Sequence, residues 1–249
     1  SSSKSSKPTA SSVSGTASKG IIVGGLVSAY LFDVSGNPEA DTVATAITDE
    51  SGDYALKVPG AHNGKPLYIV IDDNDGTAMM KCDISGGCDN DGDGVVDAEF
   101  GTELNLAADE LTMSAVLPQS AASVSVNITP LTTVAAEVAK VAIKEDPTND
   151  FNVREAISNA NSQVAERFGL SGDVTKFEVV DLTDPEEVAS TLGATGGDET
   201  VQYASINAAI ISAVQSDSVT DVSINDAIAN FATEYVGNGL TTNSTNEML

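Results

Sequence analysis

The chain has 249 residues and carries 37 acidic against 11 basic side chains, a formal net charge of −26. Nucleic acid and anionic lipid are recognised through basic patches, so this charge excludes both as partners and suits surroundings rich in salt or divalent ions. At 41 % hydrophobic the chain can bury a core, while 4 % aromatics and no Trp leave few of the platforms that glycan and aromatic-ligand sites favour.

The length allows one large or two modest domains. Residues 1–19, SSSKSSKPTASSVSGTASK, are Ser-rich with interspersed Lys, and read as a tether or as an arm donated to a neighbour's sheet edge. The sequence opens without Met or a leader and so reads as a processed product. No run of about 18 apolar residues, the length a membrane span needs, occurs in it.

From Gly20 to Ile128 the hydrophobic period is two. Strands are expected over 21–33 with Gly24-Gly25 interrupting, then at Val43–Thr48, Tyr54–Val58, Leu67–Ile71, Ala78–Met80, Leu111–Val116 and Val124–Val126. Short strands separated by turns such as Ser35-Gly36-Asn37-Pro38 and Glu50-Ser51-Gly52-Asp53 predict an antiparallel β-sandwich over 20–128.

Within that region lies an acidic loop, spanning 82–100. Asp89, Asp91, Asp93 and Asp97 recur at alternate positions, with Gly94 after the third. A hard cation such as calcium takes six to eight oxygens at about 2.3–2.6 Å, and a glycine allows the sharp turn that brings later ligands round. The expected ligands are Asp89, Asp91, Asp93, the Val95 carbonyl, Asp97 and Glu99, with Glu103 as an alternative last ligand. The competing reading is a solvated acidic loop. Phe100 stands where an EF-hand has its bidentate Glu, and no long helix precedes Asp89. The loop more closely resembles the short Asp-rich calcium loops of thrombospondin type-3 and dockerin modules. The run Asp72-Asp73-Asn74-Asp75-Gly76 has poorer spacing and reads as a turn.

Cys82 and Cys88 flank Ser85-Gly86-Gly87, a short flexible stretch that closes readily as a disulfide and would brace the acidic loop. Two free thiols or a metal site are the alternatives, and zinc finds only His62 as a further soft ligand. A disulfide implies an oxidising compartment.

From Thr129 the period becomes helical. Thr129-Pro130 places a hydroxyl at the N-cap and proline at N1, followed by a stripe of Leu131, Val134, Val138 and Val141. Further helices are expected on Val153, Ile157, Ala160, Val164 and Phe168; from Asp184-Pro185; on Tyr203, Ile206, Ile210 and Val214; and on Ile224, Ile228, Phe231 and Tyr235. Gly196-Gly197 reads as a linker. The organisation expected is a tether at 1–19, a sandwich at 20–128, a helical domain at 129–238 and a polar tail at 239–249.

Two further resemblances attach to these motifs. The segment from Gly25 to Pro59, with Thr48, Gly52, Tyr54 and Leu56, resembles the carboxypeptidase-regulatory-like, transthyretin-like β-sandwich, whose hallmark is a "Thr, turn Gly, Tyr, apolar" hairpin. That resemblance implies a non-catalytic scaffold or adhesive element, with the acidic loop as an insertion. Val126-Asn-Ile-Thr-Pro-Leu-Thr-Thr-Val134 resembles a "TPLTT" junction of bacterial surface lipoproteins of unassigned role, where it joins such a sandwich to an Ala-rich helical region.

Catalytic signals are thin. His62 is the sole histidine, and no GxSxG, P-loop or GxGxxG leading into a helix is present. Asn127 and Asn243 open formal glycosylation sequons. Lys19, Lys57 and Lys65 are candidates for the Lys–Asn isopeptide cross-links that some sandwiches carry, and the sequence ranks none of them. The expectation is thus an α+β protein: an N-terminal antiparallel sandwich with an inserted calcium loop, then helices. Its expected role is structural or adhesive, outside the cell or on its outer surface. Its expected partners are copies of itself in a filament or cell-surface and matrix components; a secreted ligand- or glycan-binding module is the alternative.

Overall fold

The structure, a computed structural model, describes residues 6–147 and 149–238. The tail 239–249, the sequon at Asn243 and the first five residues lie outside them. The fold is α+β, with ten strands in three sheets and five α-helices among the described residues.

Strand β1 (Ser11–Thr16) lies between β5 (Asp53–Val58), to which it is antiparallel, and β10 (Ser123–Ser125), to which it is parallel. This corrects the reading of 1–19 as a tether or donated arm for its Ser11–Thr16 part alone. Over Ser11–Thr16 both edges are paired within the chain itself, and Ala17 bridges Ile128. The strand escapes notice because serine stands on both faces: Ser11 and Val13 are buried while Ser12 is exposed. Gly15 is required by close approach, since a Cβ there would come within 1.8 Å of the Val126 carbonyl. The same carbonyl accepts a hydrogen bond from the buried Tyr54 hydroxyl. The parallel β1–β10 pair also means that the sheets are not wholly antiparallel as expected.

A second sheet, in the order β4 (Ala44–Ile47), β3 (Leu26–Tyr30), β6 (Leu67–Asp72), β9 (Thr112–Leu117), is antiparallel throughout. A third joins β2 (Ile22–Val23), β7 (Met79–Lys81) and β8 (Glu103–Asn105). The strand expected over 21–33 is therefore two, divided at Gly24, whose φ is +74°. The motif around Gly52 is not a hairpin ladder: β4 pairs with β3 and β5 with β1, so the turn carries the chain from one sheet to another. Thr48, 3 % exposed, fixes that crossing. Its hydroxyl donates to Ile22 O at 2.7 Å and accepts from Gly25 N at 2.9 Å. Tyr54, Leu56 and Val58 alternate inward along β5, as the period-two pattern requires.

The helices are α1 (Pro130–Glu145), α2 (Asp150–Arg167), α3 (Pro185–Leu192), α4 (Gly197–Asp217) and α5 (Ile224–Asn238). Gly197 opens α4 and is not part of a linker. The inward face of α1 is built from Leu131, Val134, Ala135, Ala136, Ala139 and Ile143, while Val141, expected in the stripe, is 47 % exposed. Alanines let the helix lie close to its neighbours, a signal that a search for large apolar residues passes over.

The TPLTT segment has a plain structural role. The Thr129 and Thr132 side chains form a reciprocal capping box. Thr132 Oγ1 also donates to Ser114 O at 2.8 Å, and Ser114 N donates to Thr133 Oγ1 at 3.1 Å, which ties the start of α1 to β9. Thr129 Oγ1 lies 2.7 Å from the Tyr203 hydroxyl, which donates to Val174 O. Replacing Thr129 by Ala is expected to cost about 1–2 kcal/mol in a urea melt, and Thr129→Ser to recover most of it.

Helices and sheets share their cores. Ile211, Val222, Ile224, Ala227 and Ile228 belong to the same apolar cluster as Val13, Ile22, Leu56, Ile69 and Met113. Val116 of β9 packs with Ala136, Ile143 and Ile157. Part of 129–238 therefore packs on the sheets, while Leu131, Phe168, Tyr203, Ile206 and Phe231 belong to a cluster drawn from 131–235 alone.

Candidate metal centre

Residues 82–100 leave β7 and return to β8 as one excursion closed by two backbone rungs. The Cys82 amide donates to Thr102 O at 2.9 Å, and its carbonyl accepts from Gly101 N at 2.8 Å. Further out, the Cys88 amide donates to Ala98 O and its carbonyl accepts from Asp97 N, both at 2.8 Å. The two cysteines form a disulfide with Cα atoms 5.8 Å apart, and both are fully buried. The flexible Ser-Gly-Gly stretch is thereby pinned at its two ends, and residues 89–97 start from a fixed base. Cys82→Ser with Cys88→Ser is expected to lower stability by roughly 2 kcal/mol in a calorimetric melt, the entropy released by opening so short a ring.

Beyond the rungs the chain turns through Gly92 and Gly94, with φ of +80° and +87°. Asp89 organises the turn, accepting from Gly92 N at 2.8 Å through one oxygen and from Gly94 N at 2.7 Å through the other. Asp97 accepts from Asn90 N at 2.7 Å and Asp91 from Asp93 N at 3.2 Å. These contacts bring one oxygen each of Asp89, Asp91 and Asp97 within 4.8 Å of one another. Of the other expected ligands, Asp93 accepts from the Val95 amide at 2.7 Å and Glu99 is exposed; neither joins the triad. The Val95 side chain is 62 % exposed.

The triad can hold a metal ion, and its all-oxygen donor set is the chemistry of a hard cation, with no sulfur or imidazole to select a softer one. Its electrostatics point the same way. The Asp93 amide favours ionisation of Asp91, but partial desolvation, the shared contact with Asp89 and the charges of Asp93 and Asp97 outweigh it and hold the carboxyl above its ordinary range.

The loop is also stitched to the helices, which the sequence does not disclose. Gln215 of α4 donates from its amide nitrogen to Asp89 O at 2.7 Å and to Val222 O at 2.9 Å. Ile224 N, at the start of α5, donates to Asn90 O at 3.0 Å. Gly92 lies so close to Val222 that a Cβ would meet its carbonyl oxygen at 2.1 Å. Beneath the loop, Glu110 accepts from Asn90 Nδ2 at 2.8 Å and Ala107 N at 2.9 Å. Asn90 looks like a spacer between aspartates, and Gln215 carries no motif; only the folded chain brings them to the loop.

Beside the loop, an open groove of about 580 Å³ runs between Ile84, Phe100 and Leu182 on one side and the small residues Ala209 and Ala213 of α4 on the other. Asn127 is 5 % exposed, accepts from Thr16 N at 2.9 Å and donates to Phe177 O, so that sequon serves packing. The Asp72–Gly76 run is a turn, as expected, with Asp73 accepting from Gly76 N at 2.9 Å. No helix among the described residues is long and apolar enough to cross a membrane.

Fold and site together define a mixed α+β chain with a disulfide-braced acidic loop locked against two helices. No family model matches the chain, and a search of curated proteins gives no match.

Proposed function

We propose that this is a non-catalytic structural or adhesive protein of the cell exterior whose 82–100 loop binds calcium. The convergence of Asp89, Asp91 and Asp97 on a disulfide-pinned base carries the reading. Calcium suits a site with oxygen donors, glycine-permitted turns and room for water and backbone carbonyls to complete the shell. In this reading the Val95 carbonyl, Asp93 or Glu99 moves in to finish the coordination. A disulfide persists in oxidising compartments, and a strongly acidic surface tolerates calcium-rich ones.

The resemblance to a carboxypeptidase-regulatory-like sandwich supports a supporting role over turnover, and the sheet-to-sheet turn at Gly52 is compatible with two facing sheets. Titration of the intact protein with terbium, read by luminescence and competed with calcium, tests the metal reading. Saturable binding displaced by calcium and lost in Asp89→Asn supports it, and absence of binding at millimolar metal sinks it. Sedimentation across a concentration series, with calcium present, tests self-association.

The second reading is a ligand-binding module, favoured by the open groove beside Phe100. Saturable binding of a small ligand there by a strictly monomeric protein would favour it.

A further inference from the structure

Helix α4 buries one face and leaves another bare. Tyr203, Ile206 and Ile210 belong to the core between helices, and Ile211 to the apolar cluster of the sheets. Ser205, Ala209, Ser212, Ala213 and Ser216 recur at helical spacing along a different stripe. Side chains this small make the floor of the groove beside the acidic loop, whose 580 Å³ is the size of a small-ligand site. Ile84, Phe100 and Leu182 stand across from them, and Phe100 is 42 % exposed. From Ser205 to Asp217 the floor runs about 18 Å at the rise of an α-helix.

An acid stands at each end of this floor, and no base is among the lining residues. Asp83 marks the Ser205 end, since it shares a small adjoining pocket with Tyr203, Ala204 and Asn207. It is half-buried, and its Oδ1 is sealed from solvent with no hydrogen-bond partner. The ion pairs among the described residues join Lys65 to Asp150, Lys81 to Asp181 and Lys140 to Glu137, so none neutralises Asp83. Desolvation raises its carboxyl to about 6; the Gly20 and Asp83 amides and the field of Lys19 oppose the rise, and Asp181 adds to it. At neutral pH Asp83 is therefore an ionised group short of water, a cost that a cation alongside it relieves. Asp217 closes the far end. No basic residue lies in the last turn of α4, so the negative pole of the helix adds to that charge.

We propose that this groove binds a small aliphatic ammonium, with the ammonium beside Asp83 and the alkyl chain on α4 between Phe100 and Ala213. The inference rests on the second reading above, a ligand-binding groove, and supplies the chemistry of the ligand. One aromatic ring in the lining suits an alkyl body better than a stacked one. An anion is repelled from both ends, and a neutral alcohol leaves Asp83 uncompensated. Asp83 outweighs Asp217, because Asp217 is exposed and water screens it.

Isothermal titration calorimetry of the intact protein with n-octylammonium at physiological salt tests this. The expected result is saturable one-to-one binding, with octanoate, octanol and methylammonium each weaker by roughly tenfold or more. Asp83→Asn is expected to weaken octylammonium by a similar factor, and Asp217→Asn by less than about threefold. Ala213→Phe, which fills the floor, is expected to abolish binding, and thermal melts establish that each variant is folded. Many weak sites that persist in Ala213→Phe mark attraction to the acidic surface and overturn the proposal. Unchanged affinity in Asp83→Asn overturns it as well. Octanoate or octanol held as tightly as octylammonium, and lost in Ala213→Phe, overturns the ammonium while leaving the ligand-binding reading standing. No binding by any of the probes counts against both.

Discussion

Calcium at a hundredfold excess over its dissociation constant is expected to raise the melting temperature of the protein by about 5–10 °C, and chelator to abolish the gain. The figure follows from linkage: a ligand bound only by the folded state adds about 2.7 kcal/mol at that excess, and a chain of this size gains about 2–4 °C per kcal/mol. Asp91→Asn is the cleanest probe, because Asp91 is exposed and its contact with the backbone is the long bond from Asp93 N at 3.2 Å. It is expected to lose most of the calcium gain while leaving the metal-free melt unchanged or slightly higher. Asp89→Ala is harsher, since Asp89 also holds the amides of Gly92 and Gly94.

The pH dependence has a definite sign. In the metal-free chain Asp91 titrates above its ordinary range. Folding therefore penalises its ionised form at pH values above that raised position, and the penalty vanishes as acid protonates it. Metal needs the ionised form, so the calcium-induced gain is expected to be fullest near neutral pH and to shrink on acidification. Differential scanning calorimetry at several pH values, with and without calcium, reads both effects. A gain that grows in acid would contradict the assignment.

Gly92→Ala is expected to be the most damaging single change in the loop, destabilising the protein by roughly 2–5 kcal/mol. Two costs add. The residue adopts φ of +80°, and the new methyl would meet Val222 N at 2.3 Å as well as its carbonyl. Neither atom belongs to a flexible side chain, so the loop or the start of α5 must move. The expected consequence reaches past the loop: the bonds from Ile224 N to Asn90 O and from Gln215 to Asp89 O open, and amides in the first turns of α5 exchange faster with deuterium. Gly94→Ala is the comparison, because Gly94 has a similar φ but an added methyl there would find nothing within 4 Å, and it is expected to show the strain alone. Equal losses from the two variants would remove the case for a clamp between loop and helix.

Much of the candidate site was legible in the residues themselves. Asp89, Asp91 and Asp97 could be singled out because alternate carboxylates with interspersed glycines constrain how a loop turns, and the six-residue separation of Cys82 from Cys88 made a disulfide geometrically ready. Asp93 and Glu99 matched the same pattern yet stand outside the triad, because their placement depends on which backbone amide each carboxylate meets. Val95 entered through its carbonyl, which spacing alone cannot aim.

Helix positions followed from periodicity and caps. Thr129-Pro130 and Asp184-Pro185 both mark true helix starts, because an N-cap hydroxyl or carboxylate and a proline at N1 act within one turn of chain. Likewise β5 declares itself through strict alternation of buried and exposed positions, and β6 through alternation of buried and half-buried ones. Such signals are local and survive in any context. The strand in Ser11–Thr16 lacks one, since serine is small enough for either face; its place is set by β5 and β10, about 40 and 110 residues away in the chain. The same holds for the parallel β1–β10 pair, the crossing at Gly52, the seat of Gln215 on the loop and the burial of Lys19. The amino-acid order thus determined the helices, most of the strands and the acidic loop, whereas tertiary structure decided the places of β1 and β8, which edges pair, which helices grip the loop and which polar groups lose their water, because those outcomes depend on contacts between distant segments.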